Sequence, residues 1–271
     1  MRQFKLLNAI GQTFDLMRKD AYFNAPAGLG WGVESTVMSV GDSYVVTDRK
    51  PEKPAPSGEM VFAGYAQYNE FMAFVQVGGL VLAYKPLDVW RYLDVDLSID
   101  KGEIQTSSRR LICSVVFTAS SQWYEQIKAY QAQASEGDGK VYSYKYPYRY
   151  RNAIEGAISI PNGPLSSYPK ITIFGPAETP KWALYQYGVR LATGAVNITI
   201  PDGNKLVVDM HPATMEIAEY TNNGKFVANR YQNSDFATER IFELPAGDCQ
   251  IVFTQEGIGT VKAFVEVRKR V

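Results

Sequence analysis

A single histidine occurs in the 271 residues, His211 in the stretch VVDMHPAT. Imidazole changes charge near neutral pH, so His211 is the first place to look for a general base or a metal ligand. A hydrolase would need a nucleophile and an orienting acid beside it, and one imidazole cannot build a histidine-rich metal site. Pro212 follows directly, which makes His211 a turn residue after a strand. Asp94 and Asp96, in VWRYLDVDLSID, are the second candidate. Carboxylates two residues apart on a strand point the same way, whereas the acid/base pair of a glycosidase flanks a scissile bond from two sides. Cys113 and Cys249 stand in the apolar runs RLICSVVF and GDCQIVF, on a face with Leu111, Val115 and Phe117 or with Ile251 and Phe253. Both read as small buried hydrophobes, and two separated cysteines make no zinc motif. GLGWG, residues 28–32, has the wrong glycine spacing for a phosphate loop. The sequence therefore reads as a non-enzyme with no catalytic residue, no cofactor and no metal.

A second pattern stands out in KVYSYKYPYRYRN, residues 140–152, where Tyr142, Tyr144, Tyr146, Tyr148 and Tyr150 alternate with other residues, Lys145, Arg149 and Arg151 among them. Such a stretch could be a nucleic-acid platform, a sugar-binding surface or a joining strand. On a strand the five rings share one face and the cations lie on the other, while grooves that track a nucleic-acid backbone bring rings and cations together. The joining strand fits best, with Pro147 marking an edge because proline cannot donate to a sheet ladder.

The elements that would position these residues are mostly strands. The chain is long enough for two domains, each able to bury its own core. Its 28 basic and 28 acidic residues cancel, which gives no general attraction to nucleic acid or to an anionic membrane. No apolar stretch has the length of a signal peptide or a membrane span, so the expectation is folding in a cytoplasm without membrane insertion. Gly11-Gln12 separates LLNAI from TFDLM as a first hairpin, and NAPAGLGWGVESTVMSV and DSYVVTD give two further strands. RKPEKPAPSG, residues 49–58, reads as an extended exposed loop outside any core. Tyr68, Phe71, Met72 and Val75 repeat at helical spacing in YAQYNEFMAFVQV, a helix near 65–77 that Gly78-Gly79 ends. Strand patterns follow in GLVLAYKP, VWRYLDVDLSID and SRRLICSVVFTAS, the second with Asp94, Asp96 and Asp100 on its polar face. Trp123, Ile127 and Tyr130 again have helical spacing, in a segment that leads into a Gly-rich linker.

The rest is β: NITIPDGNKLVVDM reads as two strands around Pro-Asp-Gly-Asn, and MEIAEYTNNGKFVANRY as a hairpin with Asn223-Gly224 as its two-residue turn. GTVKAFVEVRKRV places Val261, Ala263, Val265 and Val267 on one face. Short strands with turn signals between them indicate a sandwich or jelly-roll-like domain. The organisation expected is a first β domain over 1–138 with one helix and a second β-sandwich over 139–271.

The order of these segments resembles the distal tail protein (Dit) family of long-tailed phages that infect Gram-positive bacteria, especially the lactococcal type. The resemblance runs through PAGLGWG, YNEFMAFVQ, GLVLAYKP, VWRYLDVDLSIDKGEI, SRRLICSVVFTASSQWY, SYPKITIFGPAETPKWALY, FELPAGDCQIVF and VEVRKRV. It implies a structural virion protein of the tail tip or baseplate, assembled in the host cytoplasm. Its N-terminal β-sandwich would build a hexameric ring around a DNA channel, and its C-terminal half would be a galectin-like β-sandwich. Implied partners are further copies of the chain, the major tail-tube protein, a tail-associated protein and receptor-binding or other baseplate proteins. The family brings no catalytic residues. On this reading DSYVVTDRKPEKPAPSG is an arm that embraces the next subunit through Tyr44, Val45, Arg49, Lys50 and Lys53. Asp94, Asp96 and Asp100 line the channel, and the tyrosine ladder joins the domains or meets a partner. The rival reading is a monomeric carbohydrate-binding β-sandwich with Trp182 exposed.

Overall fold

The computed structural model describes residues 2–130, 157–256 and 261–270. Residues 142–150 and the expected domain border at 138/139 lie outside the described residues. The chain divides into two compact units, Met1–Glu125 and Gln126–Val271. Both are built almost wholly from antiparallel strands.

The first unit contains β1 (Gln3–Leu7), β2 (Thr13–Asp15), β3 (Ala21–Ala27), β4 (Val33–Val40), β5 (Ser43–Pro51), β6 (Ser57–Phe62), α1 (Tyr65–Val75), β7 (Leu80–Lys85), β8 (Arg91–Asp100) and β9 (Leu111–Ala119). β10 (Tyr124–Tyr130) begins in it. β8 pairs with β7 along its first half, Leu80 opposite Val95 and Tyr84 opposite Arg91, and with β9 along its second, Val95 opposite Ala119 and Asp100 opposite Ser114. This makes two layers, β2-β1-β7-β8 and β8-β9-β6-β3. Their inward faces meet through rings: Phe4 packs edge-on against Phe23 at 5.3 Å, and Phe23 against Phe117 at 5.6 Å. Alternate residues of each strand supply this core, as a half-buried strand requires. Each fully buried side chain of this size contributes roughly 1.5–3 kcal/mol.

The helix closes one end of that core. Phe71 is buried against Phe14 and Phe62, while Tyr68, Met72 and Val75 on the same stripe are half-buried. Its last turn closes with Gln76 N–H donating to the Met72 carbonyl, and Gly78 and Gly79 take φ of 76° and 58°. Only glycine enters that region without strain, so the pair ends the helix where the sequence indicates.

The second unit comprises the rest of β10 with β11 (Ala157–Ile160), β12 (Pro169–Phe174), β13 (Ala177–Glu178), β14 (Lys181–Gln186), β15 (Val189–Ala195), β16 (Thr199–Ile200), β17 (Asn204–Asp209), β18 (Glu216–Thr221), β19 (Phe226–Asn229), β20 (Cys249–Thr254) and β21 (Lys262–Arg270). One sheet runs β19-β18-β17-β12-β21 with β10 beside β21, and the other runs β11-β20-β14-β15. Ile171, Ile173, Leu206, Val208, Val265 and Val267 of the first sheet pack with Ile158, Trp182, Leu184, Ile251 and Phe253 of the second. This is a β-sandwich, and the expected face of Val261, Ala263, Val265 and Val267 is buried in it.

Four local expectations change. Residues 124–130 form strand β10 instead of a helix: burial alternates along it, and Ile127 and Ala129 pack on the sandwich core. The spacing of Trp123, Ile127 and Tyr130 fits a helix, but pairing with neighbouring strands satisfies the backbone more fully than an isolated short helix could. The segment 49–58 is only partly a loop, since Arg49, Lys50 and Pro51 belong to β5 and both Pro54 and Pro56 are buried. Pro-Asp-Gly-Asn makes its turn, with Asn204 N–H bonded to the Pro201 carbonyl, but the flanking strands find other partners, β16 with β13 and β17 with β12 and β18. The Asn223-Gly224 hairpin forms as a three-residue loop: Thr221 N–H bonds the Lys225 carbonyl, and Gly224 takes the positive φ, 85°, that closes it.

Candidate assembly surfaces

The most exposed element of the first unit is the hairpin β4–β5. Every residue of it except Val33 is exposed. Its register places Val37 opposite Val46, Met38 opposite Val45 and Ser39 opposite Tyr44. Successive pairs point to opposite faces, so Val37, Val46 and Tyr44 form one apolar face and Met38, Val45 and Val40 the other. Tyr44 is 80% exposed. Towards the base the hairpin turns polar, with Lys50 bridging Glu34 at 3.3 Å and Glu52 N–H bonding the Gly32 carbonyl at 2.9 Å. Two glycines of GLGWG serve this base: a Cβ on Gly28 would stand 2.0 Å from the Ala55 carbonyl oxygen, and one on Gly32 would stand 2.0 Å from the Glu52 carboxylate. Gly28 lets two backbone segments approach closely, and Gly32 leaves room for the Glu52 side chain.

Of the arm residues read from sequence, Tyr44, Val45, Arg49, Lys50 and Lys53 are all exposed, the first four on the hairpin and Lys53 beyond it. Val46 completes its apolar faces with Val37, Met38 and Val40, and the last three fell outside the stretch read as the arm. Their signal was VESTVMSV, an apolar and β-branched run without a partner face.

The three acids divide. Asp94 is half-buried and accepts a hydrogen bond from the Tyr124 hydroxyl at 2.8 Å. Asp96 and Asp100 are exposed on the outward face of the second layer, opposite Thr118 and Ser114. Glu59 joins them, opposite Ser114 on its other side and bonded to the Asn24 amide at 3.1 Å. On the opposite layer Lys5, far from Lys85 and Trp90 in the chain, comes beside them only through the β1–β7–β8 register, which no local pattern states.

His211 follows β17 at the start of a turn, as its sequence context indicates. It lies at the rim of an open cleft of about 410 Å³ lined by Tyr168, Lys170, Asp209, Thr214, Glu216 and Arg268. Its Nδ1 accepts a bond from the Ala213 N–H, and Asp209 is taken up by the His211 N–H, the Thr214 hydroxyl and Lys170. Both thiols are buried, and burial with the nearby Asp248 pushes the Cys249 thiol up to about 11, so it stays protonated and unreactive at neutral pH. Trp182 is 1% exposed, in the sandwich core, so no sugar can stack on it as the rival reading required. No group of three or more metal-ligating side chains is gathered among the described residues.

Comparison with known proteins gives these surfaces a setting. The chain has the fold of proteins in the phage P2 baseplate: one structure of that baseplate in its activated conformation with calcium matches at a TM-score of 0.70 and 16% identity, covering 100% of this chain and 99% of the other. The same baseplate with strontium matches at 0.70 and 15%, with the same coverage. The SPP1 Dit protein, gp 19.1, described as a paradigm of the hub adsorption apparatus in phages that infect Gram-positive hosts, matches at 0.61 and 11% over 99% of both chains. No curated protein matches the sequence. Residues 3–120 match the family described as Distal tail protein, N-terminal domain, the stretch that contains both layers, the helix and the β4–β5 hairpin. The chain is thus similar to distal tail proteins, its first unit through the family match and its full length through the fold.

Proposed function

We propose that this chain forms a closed ring of six copies at the tail tip, joining the tail tube to the tail-associated protein below it and leaving a channel through which DNA passes. The observation that carries the reading is the β4–β5 hairpin. A two-stranded ribbon alone is marginal in water, and one with apolar side chains on both faces gains stability only when both are covered. A neighbouring copy supplies that cover, with Tyr44, Val45, Val37 and Val46 buried on it and Arg49, Lys50 and Lys53 at the polar rim. The β-sandwich of the second unit is the outward platform for receptor-binding or other baseplate proteins, and the tyrosines at 142–150 serve its joining or docking.

Within such a ring the acidic face of β8 has two uses. On the channel wall Asp96 and Asp100 would repel DNA phosphates and let the duplex slide; in a contact between copies they would seat cations. Reversing their charge leaves rings intact in the first case and dissociates them in the second.

The ring itself is tested by native mass measurement and negative-stain imaging of the purified protein. Six-fold particles are expected from the wild type, and folded single chains from a variant carrying Val37→Ser, Tyr44→Ser, Val45→Ser and Val46→Ser. Intact rings from that variant would remove the hairpin from the assembly.

A further inference from the structure

The first unit carries a lysine pair on one outer face and a carboxylate cluster on the other. On the β2-β1-β7-β8 layer the ammonium groups of Lys5 and Lys85 lie over the Trp90 ring at 5.0 and 5.9 Å, and the exposed Asp15 stands opposite Lys5. Neither lysine forms an ion pair among the described residues. Leu87, 77% exposed, and Val89 stand beside them in the β7–β8 connection, with Asp88 between. On the other layer Asp96, Asp100 and Glu59 surround Val116, which is 47% exposed and lies opposite Ser98 on one side and Ser57 on the other. Lys101, next in sequence to Asp100, lies over Tyr65 at 5.0 Å, and Arg110 lies over Tyr22 at 5.6 Å. The two layers share one core, so their outward faces point away from each other.

We propose that these two patches bind each other between copies, the lysine pair Lys5 and Lys85 around Trp90 docking on the acidic face of Asp96, Asp100 and Glu59 around Val116 in the next chain. Each patch has an apolar centre and a charged rim, the anatomy of a protein interface. The lysines cover Trp90, so the ring does not stack on a base or a sugar; it fixes where the ammonium groups stand and lowers the entropy lost on pairing. Opposite faces make the contact heterologous, and a repeated heterologous contact closes into a ring when its rotation allows. The inference rests on the ring reading and deepens it: Asp96 and Asp100 belong to the seam between copies, not to the channel wall.

Charge exchange tests the contact. One variant carries Lys5→Glu and Lys85→Glu, another carries Asp96→Lys and Asp100→Lys, and a third carries all four; circular dichroism melts matching the wild type establish that each folds. At low salt each two-site variant alone is expected to need at least about 10-fold more protein to assemble. An equal mixture of the two, whose copies can alternate around an even-numbered ring, and the four-site variant should both recover wild-type mass. Reversed variants that assemble as well as the wild type, or a mixture that stays apart, would overturn the contact while the ring reading stands. Wild-type protein that remains single at every concentration would overturn both.

Discussion

The indole of Trp182 lies so close to Gly194 that a Cβ there would stand 2.5 Å from Cε2 and Nε1 of the ring. Gly194 is opposite Trp182 in the β14–β15 register, and the missing side chain is what admits the largest fully buried residue of the second unit. Gly194→Ala should therefore cost about 1–3 kcal/mol through overpacking, a fall of roughly 3–10 °C in the melting temperature of that unit. Adding Trp182→Phe, which removes the fused ring at the clash, should restore part of the loss. Calorimetry on the two single variants and the double variant measures the coupling; additive effects would mean that the ring and the glycine do not constrain each other.

Glu219 is 2% exposed and sits opposite Leu206, a core position, yet it carries a carboxylate. Arg230 Nε donates to it at 2.9 Å, and the Asn204 amide donates to its other oxygen. Removing the cation leaves a buried charge, so Arg230→Ala should destabilise the second unit by about 2–4 kcal/mol, less than a wholly buried pair because the arginine is partly wet. Glu219→Leu combined with Arg230→Ala should cost much less than Arg230→Ala alone. Urea unfolding followed by tryptophan fluorescence would show this order, and the reverse order would contradict it.

In the first unit, Arg18 grips Asp20 through Nε at 3.0 Å and Nη2 at 2.8 Å and reaches Glu70 of the helix at 2.7 Å. The guanidinium holds the Asp20 carboxyl below the ordinary aspartate range and is itself raised by both acids. A depressed carboxylate contributes stability above its unfolded pKa and loses it as pH falls through the folded value. The stability difference between wild type and Asp20→Asn should thus be constant above about pH 5 and close as pH drops below about 4. Melting curves from pH 2 to 7 check the sign, and a difference that grows on acidification would refute it.

The amino-acid order alone determined the β class, the helix and several of the turns, because those depend on neighbours in the chain. Phe71 and its stripe, Gly78-Gly79 and the alternating run to Val267 each report a local period or a backbone requirement. Strand pairing is different: it brings together residues distant in sequence, and no local pattern states the partner. That is why Trp123, Ile127 and Tyr130 read as helical while the sheet made their segment β10, and why Ile200 and Leu206 flank a turn without pairing across it. Tertiary structure also decided which aromatic was a surface and which a core, burying Trp182 and leaving Tyr44 in solvent. Lys5, Lys85 and Trp90 lie up to 85 positions apart, and only the register of three strands sets two cations on one ring.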